Sequence, residues 1–270
     1  MSIPPTYLAN LNSHEKDQHI VFQEEGHKYT IHGEGGYTSI TTLIGKLFHH
    51  FDANEVAEKM IQNKKKMNDP NNKYFGMSKE DIIQLWNANG KDASEKGTKM
   101  HYLIEQYYNK IEDVDDGSIE FSYFKKYIDD FSDLKPYRTE WTVFYSKYKL
   151  CGSIDMIYEN PDGTLQISDW KRVKSIEYEA YGNKSGIIPC LSSMPDTNFW
   201  HYCLQLNLYK TILEEQYDKK VTGLYLICMH PDNTSKTYDR LEVPILEEDV
   251  SNILKWWTET TLNQKHLRLP

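Results

Sequence analysis

At Glu140 the apolar pattern of this chain changes its period from 3.6 to 2, and no other feature constrains the fold as much. Before that point, Met100, Leu103, Ile104, Tyr107, Tyr108 and Ile111 recur at helical spacing within residues 92–111. Gly117 breaks this pattern, Ile119 to Leu134 reads as a further helix, and Pro136 ends it. After it, Trp141–Tyr148, Ile154–Tyr158 and Thr164–Lys171 read as strands rich in aromatic and β-branched residues. The last two are joined by the turn Asn160-Pro161-Asp162-Gly163. An irregular loop over 175–198 follows, then a helix from Trp200 to Glu215 and a buried strand from Val221 to Met229. A strand near Tyr238–Val243 and a helix from Glu247 to Thr260 complete the chain. This order predicts an α/β fold with a mixed central β-sheet flanked by helices.

Upstream, residues 19–32 read as two short strands around Glu24-Glu25-Gly26. Thr38–Phe48 and Ala53–Lys65 read as helices, the second N-capped by Asp52. Residues 66–77 read as a loop and Ser78–Asn87 as a short helix. Residues 1–90 are expected to form an accessory region packed on a core of residues 91–270, the whole being one compact unit.

Charge and cysteine usage narrow the classes of function. The net charge of -9 argues against non-specific wrapping of nucleic acid, although a basic groove can be local. The available basic clusters are Lys64-Lys65-Lys66, which reads as a solvated helix end, and Lys171-Arg172-Val173-Lys174. Cys151, Cys190, Cys203 and Cys228 stand apart with no C-x-x-C pair, so neither a zinc finger nor a zinc ribbon is expected. No apolar run reaches the roughly 20 residues that span a bilayer, and MSIPPTYLAN lacks the pattern of a signal peptide. An intracellular protein is expected, in the cytoplasm, the nucleus or a viral replication site.

The Asn160–Gly163 hairpin brings chemistry with it. Its turn centres between Pro161 and Asp162, so paired residue numbers should sum to about 323, and Asp155 falls nearly opposite Asp169. Lys171, two residues further on, shares that face. Facing carboxylates repel unless a cation joins them, and a hard divalent ion such as Mg²⁺ or Mn²⁺ suits oxygen ligands. A lysine beside it can orient a water or meet negative charge on a phosphoryl group. The alternative is a surface hairpin with an ordinary Asp–Lys pair. Against it, both acids interrupt strands that otherwise look buried.

Two helices offer further candidates. His101 and Glu105 share a helix face, and the imidazole is a plausible ligand or a plain surface partner of Glu105. His201, Gln205 and Tyr209 follow a four-residue spacing. Gln205 and Tyr209 could hold a phosphate or sugar, or satisfy backbone groups at the sheet edge.

Together, Gly97-Thr98-x-x-His101-x-x-x-Glu105, Gly152-Ser153-Ile154-Asp155, Asp169-Trp170-Lys171 and Gln205-x-x-x-Tyr209 resemble the PD-(D/E)XK nuclease superfamily. The resemblance is to its RecB-like exonuclease branch, similar to mitochondrial genome-maintenance and lambda-type exonucleases, and covers roughly residues 90–230. It implies a restriction-endonuclease-like fold and hydrolysis of DNA, single-stranded or at duplex ends, with one or two Mg²⁺ or Mn²⁺ ions. It implies that His101, Asp155, Asp169 and the Trp170 carbonyl are metal ligands and that Lys171 serves the attacking water. Glu105 would support the site, Gln205, Tyr209, Arg172 and Lys174 would meet DNA, and Glu140 is an additional acid. Ile154 stands where the motif's proline would be, and the cysteines lack the spacing of the iron–sulfur cluster that some relatives carry, so none is expected. No G-x-x-x-x-G-K-[ST] motif is present, so a separate helicase or a replication or recombination protein would supply any unwinding. Two other readings stay open: a catalytically silent nucleic-acid-binding module of the same fold, and an RNA endonuclease of the same superfamily.

Overall fold

The computed structural model describes residues 6–23, 25–26 and 28–262. Glu24 of the expected Glu24-Glu25-Gly26 turn and the first five residues of the segment read for a signal peptide lie outside the described residues. In chain order the elements are α1 (Tyr7–Leu11), β1 (Ile20–Gln23), β2 (Lys28–Ile31), β3 (Thr38–Ser39), α2 (Ile40–Gly45), α3 (Ala53–Gln62), α4 (Lys64–Met67) and α5 (Lys79–Tyr108). There follow α6 (Ile119–Asp130), β4 (Lys135–Tyr145), β5 (Leu150–Glu159), β6 (Leu165–Lys171), α7 (Asn198–Gln216), β7 (Val221–Cys228), β8 (Asp239–Glu242) and α8 (Glu247–Trp257). Contacts divide the chain into two compact units, residues 1–49 with 100–270, and residues 50–99.

The larger unit is a mixed α/β structure. Its six-stranded sheet has the order β3-β5-β6-β7-β8, with β4 also paired to β5. The β4–β5, β5–β6 and β7–β8 pairs are antiparallel, and β3–β5 and β6–β7 are parallel. Strands β1 and β2 form a separate antiparallel hairpin. Apolar side chains leave β6 on alternate sides, as the pleat requires. Leu165 and Ile167 join α2, α7 and α8 in one core, whereas Trp170 joins α1, α6 and the C-terminal part of α5 in another. The ring of Trp170 meets Phe124 and Tyr127 edge-on, at 5.9 and 5.4 Å between centroids. Each such pair adds about 0.5–1.5 kcal/mol beyond its buried area.

Several boundaries differ from the sequence reading, each for a local reason. The expected helix over Thr38–Phe48 begins only at Ile40, because Thr38 and Ser39 pair with Leu150 and Cys151. Ser39 then caps the helix by accepting the Thr42 N–H. The two expected helices over 78–87 and 92–111 are one helix of 30 residues. Gly90 costs a helix only about 1 kcal/mol, and no proline is present to stop it. Pro136 is the second residue of β4 rather than merely the end of a helix, and the register shifts just after it, between Pro136 and Arg138.

In the smaller unit, Asp52 caps α3 by accepting the N–H groups of Asn54 and Glu55. The Trp86 indole donates to the Tyr74 hydroxyl at 2.9 Å and meets the Phe51 ring, and Ala57 and Ile82 are fully buried. Among the described residues no helix is long and apolar enough to cross a membrane.

Candidate metal centre

The centre forms where β6 leaves β5. Their paired residues, such as 156 with 168, sum to 324, and the ladder ends at that pair. Asp155 and Asp169 are the next positions in that register, close to the one estimated from the turn, and lie just beyond the paired stretch. Strand β3 pairs only with Leu150 and Cys151, so neither β3 nor β6 covers the edge of β5 around Asp155. The Asp155 carboxylate occupies the opening and accepts the backbone N–H of Trp170 at 2.9 Å. The sides of β5 also exchange here: Ile154 and Ile157 face the α7 core, Met156 and Tyr158 the α5–α6 core.

Glu140 approaches from the other neighbour of β5. The pairs Thr139–Met156 and Trp141–Ile154 flank it, so Glu140 stands opposite Asp155. Its φ is +43°, in the left-handed region that a non-glycine residue enters at a cost. Ser153 holds its carboxylate with a hydrogen bond of 2.9 Å. From α5, His101 places Nδ1 3.6 Å from Glu140 and 3.5 Å from Asp155. One donor atom from each of His101, Glu140 and Asp155 lies within 4.8 Å of the others. His101 Nε2 lies 2.9 Å from the Trp170 carbonyl, an arrangement that aims Nδ1 at the two acids. Trp170 therefore anchors a ring in this structure, while the resemblance implied that its carbonyl is a ligand.

Asp169 and Lys171 lie beside this trio. Lys171 Nζ is 2.6 Å from Asp169 Oδ2 and 3.5 Å from Gln205 Oε1, and it sits 4.7 Å from the centroid of the Tyr202 ring. Gln205 is 8% exposed and Tyr209 3%. They face Lys171 and Gly152 from α7 rather than solvent. A Cβ on Gly152 would stand 2.5 Å from the Tyr209 hydroxyl, so that hydroxyl requires glycine there.

The electrostatics are those of a cluster that could hold a cation. Burial pushes the Asp169 carboxyl up to about 7, with Lys171 opposing and Asp155 reinforcing the shift. Asp155 is raised as well, by burial first, against the pull of His101. Burial alone would lower His101, but Asp155 and Glu140 outweigh it and lift the imidazole to about 9. Burial also opposes the Lys171 charge, yet Asp169 and Asp155 hold its proton more tightly than usual. Glu105 is half-buried and rises to about 7, through burial and then the charge of Glu140. One imidazole with converging carboxylates is a donor set suited to Mg²⁺, Mn²⁺ and similar ions. Cys228, paired with Lys171 in the β6–β7 ladder, adds no thiolate, because burial lifts its thiol to about 12.

The remaining candidates take partners outside this cluster. Arg172 forms a buried pair with Glu120 of α6 at 2.6 Å, and exposed Lys174 is 3.7 Å from Asp232. His201 bonds Asp196 at 3.0 Å and meets the Phe48 ring at a tilt, 4.1 Å between centroids. Ser153, Gly152 and Tyr202 take part without having been singled out individually as site residues. Ser153 and Gly152 sit in the quoted Gly152-Ser153-Ile154-Asp155 run, but only the contacts reveal their roles; Tyr202 carries no sequence signal at all.

No protein-family model matches the chain, and no curated protein matches it. Among solved structures, the protein SSO0001 is similar at 13% identity and a TM-score of 0.30, over 64% of this chain and 70% of that one. A presumed exonuclease from Eubacterium rectale is similar at 12% identity and a TM-score of 0.31, over 86% and 68%. At these scores neither likeness carries an argument about function.

Proposed function

We propose that this chain is a divalent-metal-dependent DNA nuclease of the PD-(D/E)XK superfamily, an exonuclease acting on single-stranded or open DNA ends. One observation carries the reading: His101, Glu140 and Asp155 converge within 4.8 Å, beside the Asp169–Lys171 pair, where β6 parts from β5. A structural ion-pair network has no need to gather two carboxylates around one imidazole with a third beside them, since clustered acids repel.

In this reading His101 Nδ1, Glu140 and Asp155 would hold Mg²⁺ or Mn²⁺, with Asp169 alongside as a further oxygen donor. The ion, when bound, supplies Lewis-acid polarisation of the phosphodiester and offsets charge that develops in its hydrolysis. The protein residues do the rest. The Trp170 carbonyl fixes the orientation of His101, and Ser153 fixes that of Glu140. Lys171 is held charged by Asp169 and oriented by Gln205, so it can position an attacking water or stabilise a negatively charged phosphoryl oxygen. If the charge of Asp169 is taken up, Lys171 loses the interaction that retains its proton. Gln205 and Tyr209 act through Lys171 and the β5 backbone rather than by touching DNA.

End-labelled single-stranded DNA, duplex DNA and RNA incubated with Mn²⁺, Mg²⁺ or chelator test the proposal. Metal-dependent digestion of DNA is expected, with Asp169→Ala and Lys171→Ala each reducing it about 10²-fold or more while folding is retained. Full activity in both variants would overturn the reading. Cleavage of RNA alone would move the chain to the RNA endonucleases of the superfamily. Mn²⁺ binding that does not depend on Asp155 would mark a silent module.

A further inference from the structure

We propose that Tyr178 and Tyr181 form a stacking platform for the bases of single-stranded nucleic acid beside the metal centre. This deepens the nuclease reading and rests on it for the choice of ligand. The Tyr178 ring lies on Phe199, at 4.5 Å between centroids, and is 51% exposed. Phe199 and Tyr202 are three residues apart on α7, and Tyr202 is the ring beneath Lys171. The platform therefore starts about one helical turn from the candidate centre.

The loop that carries the platform is tied to α7. The Asn198 side chain accepts the Glu177 N–H at 2.8 Å and donates to the Ser175 carbonyl at 3.0 Å. Tyr181 is 95% exposed, an extreme value for so large an apolar ring, in a short turn where Gly182 has a φ of +70°.

The charges near the centre leave stacking as the main source of affinity. Lys171 is paired with Asp169, Arg172 is buried against Glu120, exposed Lys174 lies 3.7 Å from Asp232, and the loop itself carries Glu177 and Glu179 against the single exposed Lys184. The chain has a net charge of -9. Phosphate neutralisation is therefore scarce, whereas stacking on an aromatic face tolerates any base sequence and needs no cation. A duplex, whose bases already stack on one another, offers these rings little.

Fluorescence anisotropy in chelator separates this proposal from catalysis. The wild-type protein should bind a labelled dT oligomer about tenfold tighter than an abasic strand of equal length. Its affinity should also fall only shallowly with salt, with a log–log slope of about one phosphate's worth, roughly -0.7. Tyr178→Ala and Tyr181→Ala should each narrow the gap between dT and abasic strands, and Tyr178→Trp should preserve it. Equal binding of the two strands by the wild type, or an undiminished gap in both alanine variants, overturns the platform. A protein that binds as expected yet cuts nothing with Mn²⁺ supports the platform and sinks the nuclease reading.

Discussion

The Trp170 backbone N–H donates to the Asp155 carboxylate, at 2.9 Å, in the place where the next rung of the β5–β6 ladder would stand. One carboxylate thus serves the backbone and the candidate centre together. Asp155→Asn keeps an acceptor for that N–H and removes a charge from the donor cluster. In the wild type, Mn²⁺ at a hundredfold excess over its Kd should stabilise by about 2.7 kcal/mol, a rise in Tm of roughly 5–10 °C. In Asp155→Asn this rise should vanish in the same thermal melt. An unchanged rise would place the ion elsewhere.

Glu140 should invert the usual ranking of alanine and glycine. At an ordinary strand position alanine is preferred, but at a φ of +43° a Cβ is strained. Glu140→Gly is expected to be more stable than Glu140→Ala by about 1 kcal/mol in urea denaturation, with both variants losing metal binding. Equal stabilities would mean that the backbone relaxes once the carboxylate is gone.

Gly152 and Tyr209 should behave as one coupled unit. A methyl group on Gly152 would meet the buried Tyr209 hydroxyl at 2.5 Å and its ring at 2.9 Å. Gly152→Ala is expected to cost about 1–3 kcal/mol, as overpacking of a closed core does. Because Tyr209 lies one turn from Gln205, which contacts Lys171, the proposed nuclease activity should fall as well. Adding Tyr209→Phe removes the oxygen in the way and should restore part of the stability, a coupling read from a double-mutant cycle. Strict additivity would exclude the contact.

Metal binding should release protons at neutral pH. His101, lifted to about 9, is protonated at pH 7, and Asp169, at about 7, is partly so. An ion needs the imidazole lone pair and ionised carboxylates, so affinity should climb from pH 6 upward and level off once His101 has titrated, near pH 9. Calorimetry of Mn²⁺ binding in buffers of different ionisation heat reads the released protons directly. An affinity constant across pH 6–8 would show that His101 is not a ligand.

Much of this was legible in the chain itself. Aromatic and β-branched content and turn chemistry mark β4, β5 and β6, because such side chains suit a pleated surface and Asn160-Pro161-Asp162-Gly163 permits one tight reversal. The same arithmetic sets Asp155 against Asp169, since hairpin partners are close in sequence. Helical periodicity marks His101 and Gln205 as neighbours of apolar stripes, though not of the hairpin. Only tertiary structure decided which of these residues meet. Glu140 reaches Asp155 through β4, with a backbone angle that no local pattern specifies. Arg172 turns to Glu120 across the chain, and Tyr209 reaches Gly152 of β5 from α7. Contacts between residues distant in sequence depend on how the layers pack, and side-chain spacing along one element carries no record of its neighbour.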